Sequence, residues 1–443
     1  MAVRDRFEHF FSEEYLHRTY EENVILSSSS GIDNLSQRQF WPRLNDEVQI
    51  ISRKVLGETY QFTKYKLKLI SKGRGKAPRE ISIPTIRDRI ALRALCDFLV
   101  ERYGSTVRFD LLQNMVKSAK GEIESGKYSG FIKLDVSNFY PSISHQELLK
   151  RLRKRIRNPE ITSFIESAIS TPTVSKPKAT DKRESSGVPQ GLSISNVLAA
   201  IYLVNIDRYF GGLTEIAYHR YVDDIFILCN YNDVYDISND VVKRFRRIGL
   251  NIHDPLKVPE KSVIGKVGEK FDYLGYQFNG AVISPREASI EKLKESLVSI
   301  FTSYKHSRTK SQEFLLWRLN LRITGCVFQN KAKGWMFFFS EINNETILHN
   351  LDRHVKKLMA RFGVVITPKR FVRTYYEIKH AKYETKYIPN FDNYTIEQMT
   401  EVLETYFGKS TAMLTEEEVK YEFKKRIDKQ VRDLLTDVQD FGY

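Results

Sequence analysis

Three aspartates are spaced so that they could act together. Asp135 sits inside the run FIKLDV (131–136), and the pair Asp223-Asp224 lies 88 residues later in RYVDDIFIL (220–228). In FIKLDV the apolar Ile132, Leu134 and Val136 fall on one strand face and Asp135 on the other, with Phe131 and Lys133. RYVDDIFIL is two apolar half-strands meeting at the acids, which predicts a β-hairpin with both carboxylates near its tip. A strand beside that hairpin would bring three carboxylates to one place. Such a set suits phosphoryl transfer from a nucleoside triphosphate, which uses two divalent cations about 4 Å apart bridged by carboxylates. Taken singly, an Asp in a strand or at a hairpin tip is more often plain surface, so the surroundings must decide.

Other chemistries find little footing. The nine histidines form no HxxxH or HExxH pattern, and no GxSxG elbow presents a serine nucleophile. Cys96, Cys229 and Cys326 are far apart without CxxC spacing, which excludes a disulfide framework and a cysteine-based zinc site.

The elements that must hold the acids are legible in outline. KYKLKLI (64–70) and EISIP (80–84) read as strands around a basic hairpin carrying Lys72, Arg74, Lys76 and Arg79. Ile90, Leu92, Leu95, Leu99 and Val100 recur at helical spacing, and NVLAAIYLVNI (196–206) reads as an apolar helix after a polar, basic loop over 171–186. SSSSG (27–31) is flexible punctuation, with an N-terminal extension before it. A helix is expected over 241–250 and an aromatic hairpin strand over FDYLGYQF (271–278). Beyond Ser284 the period changes to 3.6, and Thr415-Glu416-Glu417-Glu418 opens a terminal amphipathic helix with a capping box. The segments 317–322 and 333–338 mix bases with large aromatics, a composition suited to stacking and phosphate contact.

Composition bounds the partner. Lys and Arg number 70 against 55 Asp and Glu, a net charge of +15, which points to a polyanion. At 443 residues, 41% of them hydrophobic, the chain can form roughly two or three domains with real cores, so disorder is excluded. No run of ~18 apolar residues appears, and MAVRDRFEHFFSEEY mixes acids and bases where a leader would be apolar. A soluble cytoplasmic protein without a membrane partner is expected.

In this context the chain resembles the reverse transcriptases of prokaryotes. FIKLDVSNFYPSI (131–143) is similar to their motif A, SGVPQGLSISNVLAAIYL (186–203) to motif B, RYVDDIFI (220–227) to motif C and FDYLGY (271–276) to motif E. GIDNLS (31–36) resembles the leading block of group II intron enzymes, and KGRGKAPREISIPTIRDRI (72–90) the finger block. LNLRITGCVF and KGWMFFF resemble the thumb of defence-associated enzymes of the unknown-group and abortive-infection families. Retron enzymes are near relatives, but their NAxxH segment is absent and Ile323-Thr324-Gly325 matches their VTG only in part.

The resemblance implies an α+β right-hand polymerase fold with a helical C-terminal extension. The expected division is an N-terminal extension (1–30), fingers (31–130), a palm with a small antiparallel sheet (131–276, with a finger insertion about 146–186), a helical thumb (277–365) and the extension (366–443). It implies RNA-directed DNA polymerase activity on a dedicated non-coding RNA template in antiphage defence, with deoxynucleotides as substrates and DNA as product. A homo-oligomer or a second protein subunit is compatible with it. Retron-type synthesis, template-independent or protein-primed synthesis, and a non-enzymatic RNA-binding scaffold are the alternatives. Asp135, Asp223 and Asp224 would be the metal-binding catalytic triad, with the Val136 carbonyl as a further ligand and magnesium, or manganese in its place, as the cation. Tyr140 would be the steric gate under the sugar. Gln190 would lie against the incoming base pair, with Gly187 and Gly191 allowing close backbone approach. Arg79 and Lys76 would bind the triphosphate. Lys261, or less closely Lys257, would protonate the pyrophosphate.

Overall fold

A computed structural model describes residues 3–71, 77–107, 110–382 and 384–438. The chain forms two compact units, one of residues 1–109 and 129–265, the other of residues 110–128 and 266–443.

The first unit is built on a small sheet in the order β5-β6-β3-β7, with β8 also paired to β3. Its strands are β3 (Gly130–Ser137), β5 (Ala217–Tyr221), β6 (Asp224–Cys229), β7 (Asn251–Ile252) and β8 (Val263–Lys266). A second sheet, ordered β2-β1-β4, joins β1 (Tyr65–Ile70), β2 (Arg79–Ile83) and β4 (Thr173–Val174). β3 buries Ile132, Leu134 and Val136 on one face, as its alternation predicts, and Phe131 on the other. Both faces are therefore covered at its start, and only the Asp135 end opens toward solvent.

The helices Ile86–Tyr103 and Ser195–Gly211 pack against each other, and the second also contacts β5. Both are apolar on most of their circumference, as helices enclosed by other elements must be. The helices Val3–Phe10 and Glu13–Thr19 and the turn between them share this core through Phe7, Phe11 and Leu16, so the segment before SSSSG is folded into the body. The expected hairpin lysines and arginine Lys72, Arg74 and Lys76 lie outside the described residues.

Asp88 is fully buried in the first turn of the helix Ile86–Tyr103 and accepts hydrogen bonds from the Tyr60 hydroxyl (2.8 Å), the Thr85 hydroxyl (2.8 Å) and the Thr63 N–H (3.1 Å). Burial outweighs these bonds and pushes its carboxyl up to about 6, with Tyr65 and Arg87 as the other titratable neighbours. The folded state thus holds this proton more tightly than the unfolded chain, whose carboxylate titrates near 4. The resulting stabilisation is complete below about pH 4 and lost as pH rises through 6, roughly 3 kcal/mol between the two limits. Asp88→Asn removes this dependence, so urea unfolding should show the variant gaining on the wild type between pH 4 and 6. A constant difference across that range would refute the assignment.

The second unit contains the meander β9 (Phe271–Tyr273), β10 (Tyr276–Asn279), β11 (Val282–Pro285), the hairpin β12 (Cys326–Phe328) and β13 (Lys331–Lys333), and a set of helices. The helix Glu416–Leu435 begins at Thr415 with the expected capping box, formed in both directions with Glu418. The aromatic run corrects one expectation. Trp335, Met336, Phe337, Phe338 and Phe339 are all buried, and Trp335 and Phe339 meet ring to ring at 4.7 Å. They form core, and none can stack on a base. Arg322, expected on a phosphate, is buried and paired to Asp437 at 2.6 Å and to Asp433, which fastens the terminal helix to the helix Gln312–Thr324. Among the described residues no helix is long and apolar enough to cross a membrane.

Candidate active site

The register of the main sheet decides where the acids meet. β3 and β6 run antiparallel with Gly130 opposite Cys229 and Asp135 opposite Asp224, so two of the three carboxylates form a cross-strand pair. Asp223 occupies the two-residue turn between Tyr221 and Asp224, and its carbonyl accepts from the Val136 N–H at 3.3 Å. The other turn residue, Val222, has φ +56°. A β-branched side chain disfavours that region, and such strain costs about 1–3 kcal/mol and persists only where neighbours enforce it. Arg220 is one enforcer. Its Nη1 donates to the Val222 carbonyl at 2.8 Å while its Nε and Nη2 grip the Asp207 carboxylate from the helix below.

Asp135 is bracketed along its backbone and at its side chain. Its N–H donates to the Ser262 hydroxyl at 3.1 Å, and its carbonyl accepts from the His253 N–H at 3.0 Å. Its carboxylate meets Lys261 Nζ at 3.3 Å and His253 Nε2 at 3.5 Å. Lys261 therefore reaches the acids, whereas Lys257 is exposed with no such contact among the described residues. His253 was not foreseen. Its signal was the strand-like LNI before it, since pairing Ile252 with Val136 leaves the next residue beside Asp135.

Electrostatics bind the group together. Burial and then the Asp135 charge raise the Asp223 carboxyl, and burial and then Asp223 raise that of Asp224. Arg79 and Lys261 oppose the shift at Asp223, Lys133 and Lys261 at Asp224. The charged forms of Asp223 and Asp224 are thus penalised as they stand, and a divalent cation on their oxygens would offset both the repulsion and the desolvation. Among the described residues no group of three or more His, Cys, Asp or Glu is gathered as a ready metal cage. The Asp135 carboxylate instead faces Lys261 and His253. The donor chemistry fits a divalent cation, provided Asp135 exchanges those partners for it.

The remaining expected residues border this place. Tyr140 follows β3, packs against Phe139 at 5.3 Å and donates from its hydroxyl to Asn196 at the start of the helix Ser195–Gly211. Burial, with the Asp223 charge next, raises its phenol well above the usual value, and Arg79 counteracts this. Arg79 at the start of β2 is thus within electrostatic reach of both Tyr140 and Asp223. The VPQG loop is pinned on two sides. The Gln190 carbonyl accepts from Ser82 N–H at 2.7 Å, and Val188 N–H donates to the Tyr140 carbonyl at 2.9 Å. Gly191 has φ +102°, and a Cβ there would lie 2.8 Å from Ile81 Cγ2, so only glycine lets the loop approach β2 so closely. Lys76 lies outside the described residues.

With the carboxylates on adjoining strands and the pinned loop beside them, comparison with known proteins becomes informative. The family model described as Reverse transcriptase (RNA-dependent DNA polymerase) matches residues 70–278. This segment is similar to a reverse transcriptase domain. It holds β3, the Asp223-Asp224 turn, the VPQG loop and Arg79. Protein YkfC of Escherichia coli (strain K12) is 28% identical to the chain over 202 residues, covering 42% of this chain and 52% of YkfC. The chain thus spans about half the length of that curated relative. Among solved structures, the telomerase of Candida albicans in complex with a TWJ fragment of telomeric RNA is 14% identical with a TM-score of 0.43, covering 92% of this chain and 68% of that one. Apo telomerase from Candida Tropicalis is 14% identical with a TM-score of 0.44, covering 86% and 65%. Those two structural likenesses are too slight to bear on function.

Proposed function

We propose that the chain is an RNA-directed DNA polymerase in which the reverse transcriptase domain adds deoxynucleotides to a 3′-hydroxyl. The observation that carries this reading is the cross-strand pairing of Asp135 with Asp224, with Asp223 on the adjoining turn. Asp135, Asp223, Asp224 and the Val136 carbonyl would hold the magnesium ions. The chemistry supplied by bound magnesium is activation of the attacking oxygen and stabilisation of charge on the pyrophosphate.

The chain's own residues do the rest. The 3′-oxygen forms a bond to the α-phosphorus as the bond to the pyrophosphate oxygen breaks. Arg79, with Lys76, neutralises the triphosphate as a fixed cation. Lys261 gives a proton to the departing pyrophosphate, a duty its closeness to Asp135 favours over Lys257. Gln190, on a loop fixed to β2, lies against the nascent base pair, and Tyr140 excludes the 2′-hydroxyl. Fingers over 31–130, a palm over 131–276, a thumb over 277–365 and an extension over 366–443 would form the hand.

A dedicated non-coding RNA is the proposed template, in a bacterial cytoplasm and in antiphage defence, a role resting on the likeness of the LNLRITGCVF and KGWMFFF segments. Purifying the protein from its host and sequencing the RNA and DNA bound to it tests this. Bound DNA complementary to one enriched RNA is expected, and DNA unrelated to any bound RNA would overturn the templated reading.

A further inference from the structure

A dense run of positive charge lies away from the carboxylates. In the segment 150–157 six of eight residues are basic, and they follow the helix His145–Leu152 past its C-terminal end. Arg151 is structural: it is buried, with its guanidinium over the Tyr202 ring at 4.9 Å. Arg153, Lys154 and Arg157 are exposed, and among the described residues none has an acidic partner.

Arg102, at the end of the helix Ile86–Tyr103, joins them. Its Nε and Nη2 donate to the Arg155 carbonyl at 3.0 and 2.6 Å, while Arg155 Nη1 donates to the Tyr103 carbonyl at 3.3 Å. Two guanidinium groups are thereby fixed close together by each other's backbone, with Arg155 also over the Tyr103 ring at 5.2 Å. The nearest acids in sequence are already occupied. Glu147 pairs with Lys150 at 3.8 Å, Glu101 with Arg6, and Glu160 with Arg4 at 2.6 Å, the last two arginines coming from the helix Val3–Phe10. Positive charge is thus concentrated and left uncompensated, at two helix ends whose own dipoles favour cations.

We propose that Arg102, Arg153, Lys154, Arg155 and Arg157 form a docking surface for the sugar-phosphate backbone of a double-stranded RNA stem. The cations suit phosphates. Among the described residues of this patch the one aromatic ring, Tyr103, is buried beneath Arg155, so the surface presents cations for phosphates rather than aromatic faces for unpaired bases, which favours a stem with its bases turned inward. RNA rather than DNA follows from the RNA-directed reading, on which the proposal rests in this respect. The surface would hold a structured part of the template RNA apart from the carboxylates.

The test compares the wild type with Arg153→Gln/Lys154→Gln/Arg157→Gln, whose altered side chains make no ion pair among the described residues. Fluorescence anisotropy with a 3′-blocked RNA hairpin, the matching DNA hairpin and an unstructured RNA strand is run across a salt series. The variant should bind the RNA hairpin at least about tenfold more weakly near 0.1 M salt, and the slope of log affinity against log salt should fall by about 2 to 3. The single Arg157→Gln, which serves if the triple variant melts early, should reduce the slope by about 1. Unchanged affinity and slope on the RNA hairpin overturn the proposal, as does a loss confined to DNA or to the unstructured strand. Deoxynucleotide incorporation on a short, saturating primer–template is measured in parallel and should be equal in both proteins. A wild type that incorporates nothing would refute the polymerase reading while leaving the hairpin result to stand.

Discussion

Asp223→Ala should incorporate deoxynucleotides about 10³-fold more slowly than the wild type in magnesium, a loss of ~4 kcal/mol of transition-state stabilisation. The same variant should melt at the same temperature or higher when divalent metal is chelated. These opposite signs follow from the geometry. Asp223 sits in a two-residue turn, so truncating it removes a partly buried carboxylate rather than apolar packing. What it contributes without metal is an unfavourable charge beside Asp135 and Asp224, which burial and mutual repulsion already penalise. Removing it relieves the folded protein and disables the site, the pattern expected of a functional residue held at a cost. Asp224→Asn should behave alike in both respects. A structural role predicts the reverse, a lower melting temperature with activity reduced only in proportion. Incorporation by Asp223→Ala equal to that of the wild type would remove the catalytic assignment altogether.

The parts of this site that were legible in the sequence are those fixed by local pattern. Alternation in FIKLDV and the meeting of two half-strands at Asp223-Asp224 foretold a strand and a hairpin, and strand pairing at Asp135 opposite Asp224 needed only the correct register. The capping box at Thr415 was equally local. Contacts between distant segments were not legible. The strand-like LNI in GLNIHDP places His253 beside Asp135 only once its pairing with Val136 is known, and nothing in RYVDD indicates that Arg220 leaves the hairpin to grip Asp207. The aromatic run at 335–338 shows the complementary difficulty. Its composition fits a stacking surface and a core equally well, and only its enclosure identifies it as core. The cationic run at 150–157 is plain in composition, but whether such charges are paired depends on Glu101 and Glu160 being drawn to the N-terminal helix.

Tyr140→Ala should reduce discrimination between deoxy- and ribonucleotides by about a hundredfold, chiefly by admitting ribonucleotides rather than by slowing deoxynucleotide addition. The alternative role for Tyr140 is core filling beside Phe139, and truncating a fully buried aromatic costs about 3–5 kcal/mol of stability. Tyr140 is only half-buried, so the stability cost should be smaller than that. Its hydroxyl is engaged by Asn196, which fixes the ring between the strand bearing Asp135 and the helix that follows the VPQG loop. The ring, and not the hydroxyl, would occupy the space a 2′-hydroxyl needs. Tyr140→Phe should therefore keep most of the selectivity, and Asn196→Ala should lose a minor part by freeing the ring to turn. Single-nucleotide incorporation with each triphosphate gives the ratio directly. If Tyr140→Ala leaves that ratio at the wild-type value while lowering the melting temperature, the residue is packing and the gate must be sought elsewhere. If the ratio collapses while the melting temperature holds, the ring selects the sugar.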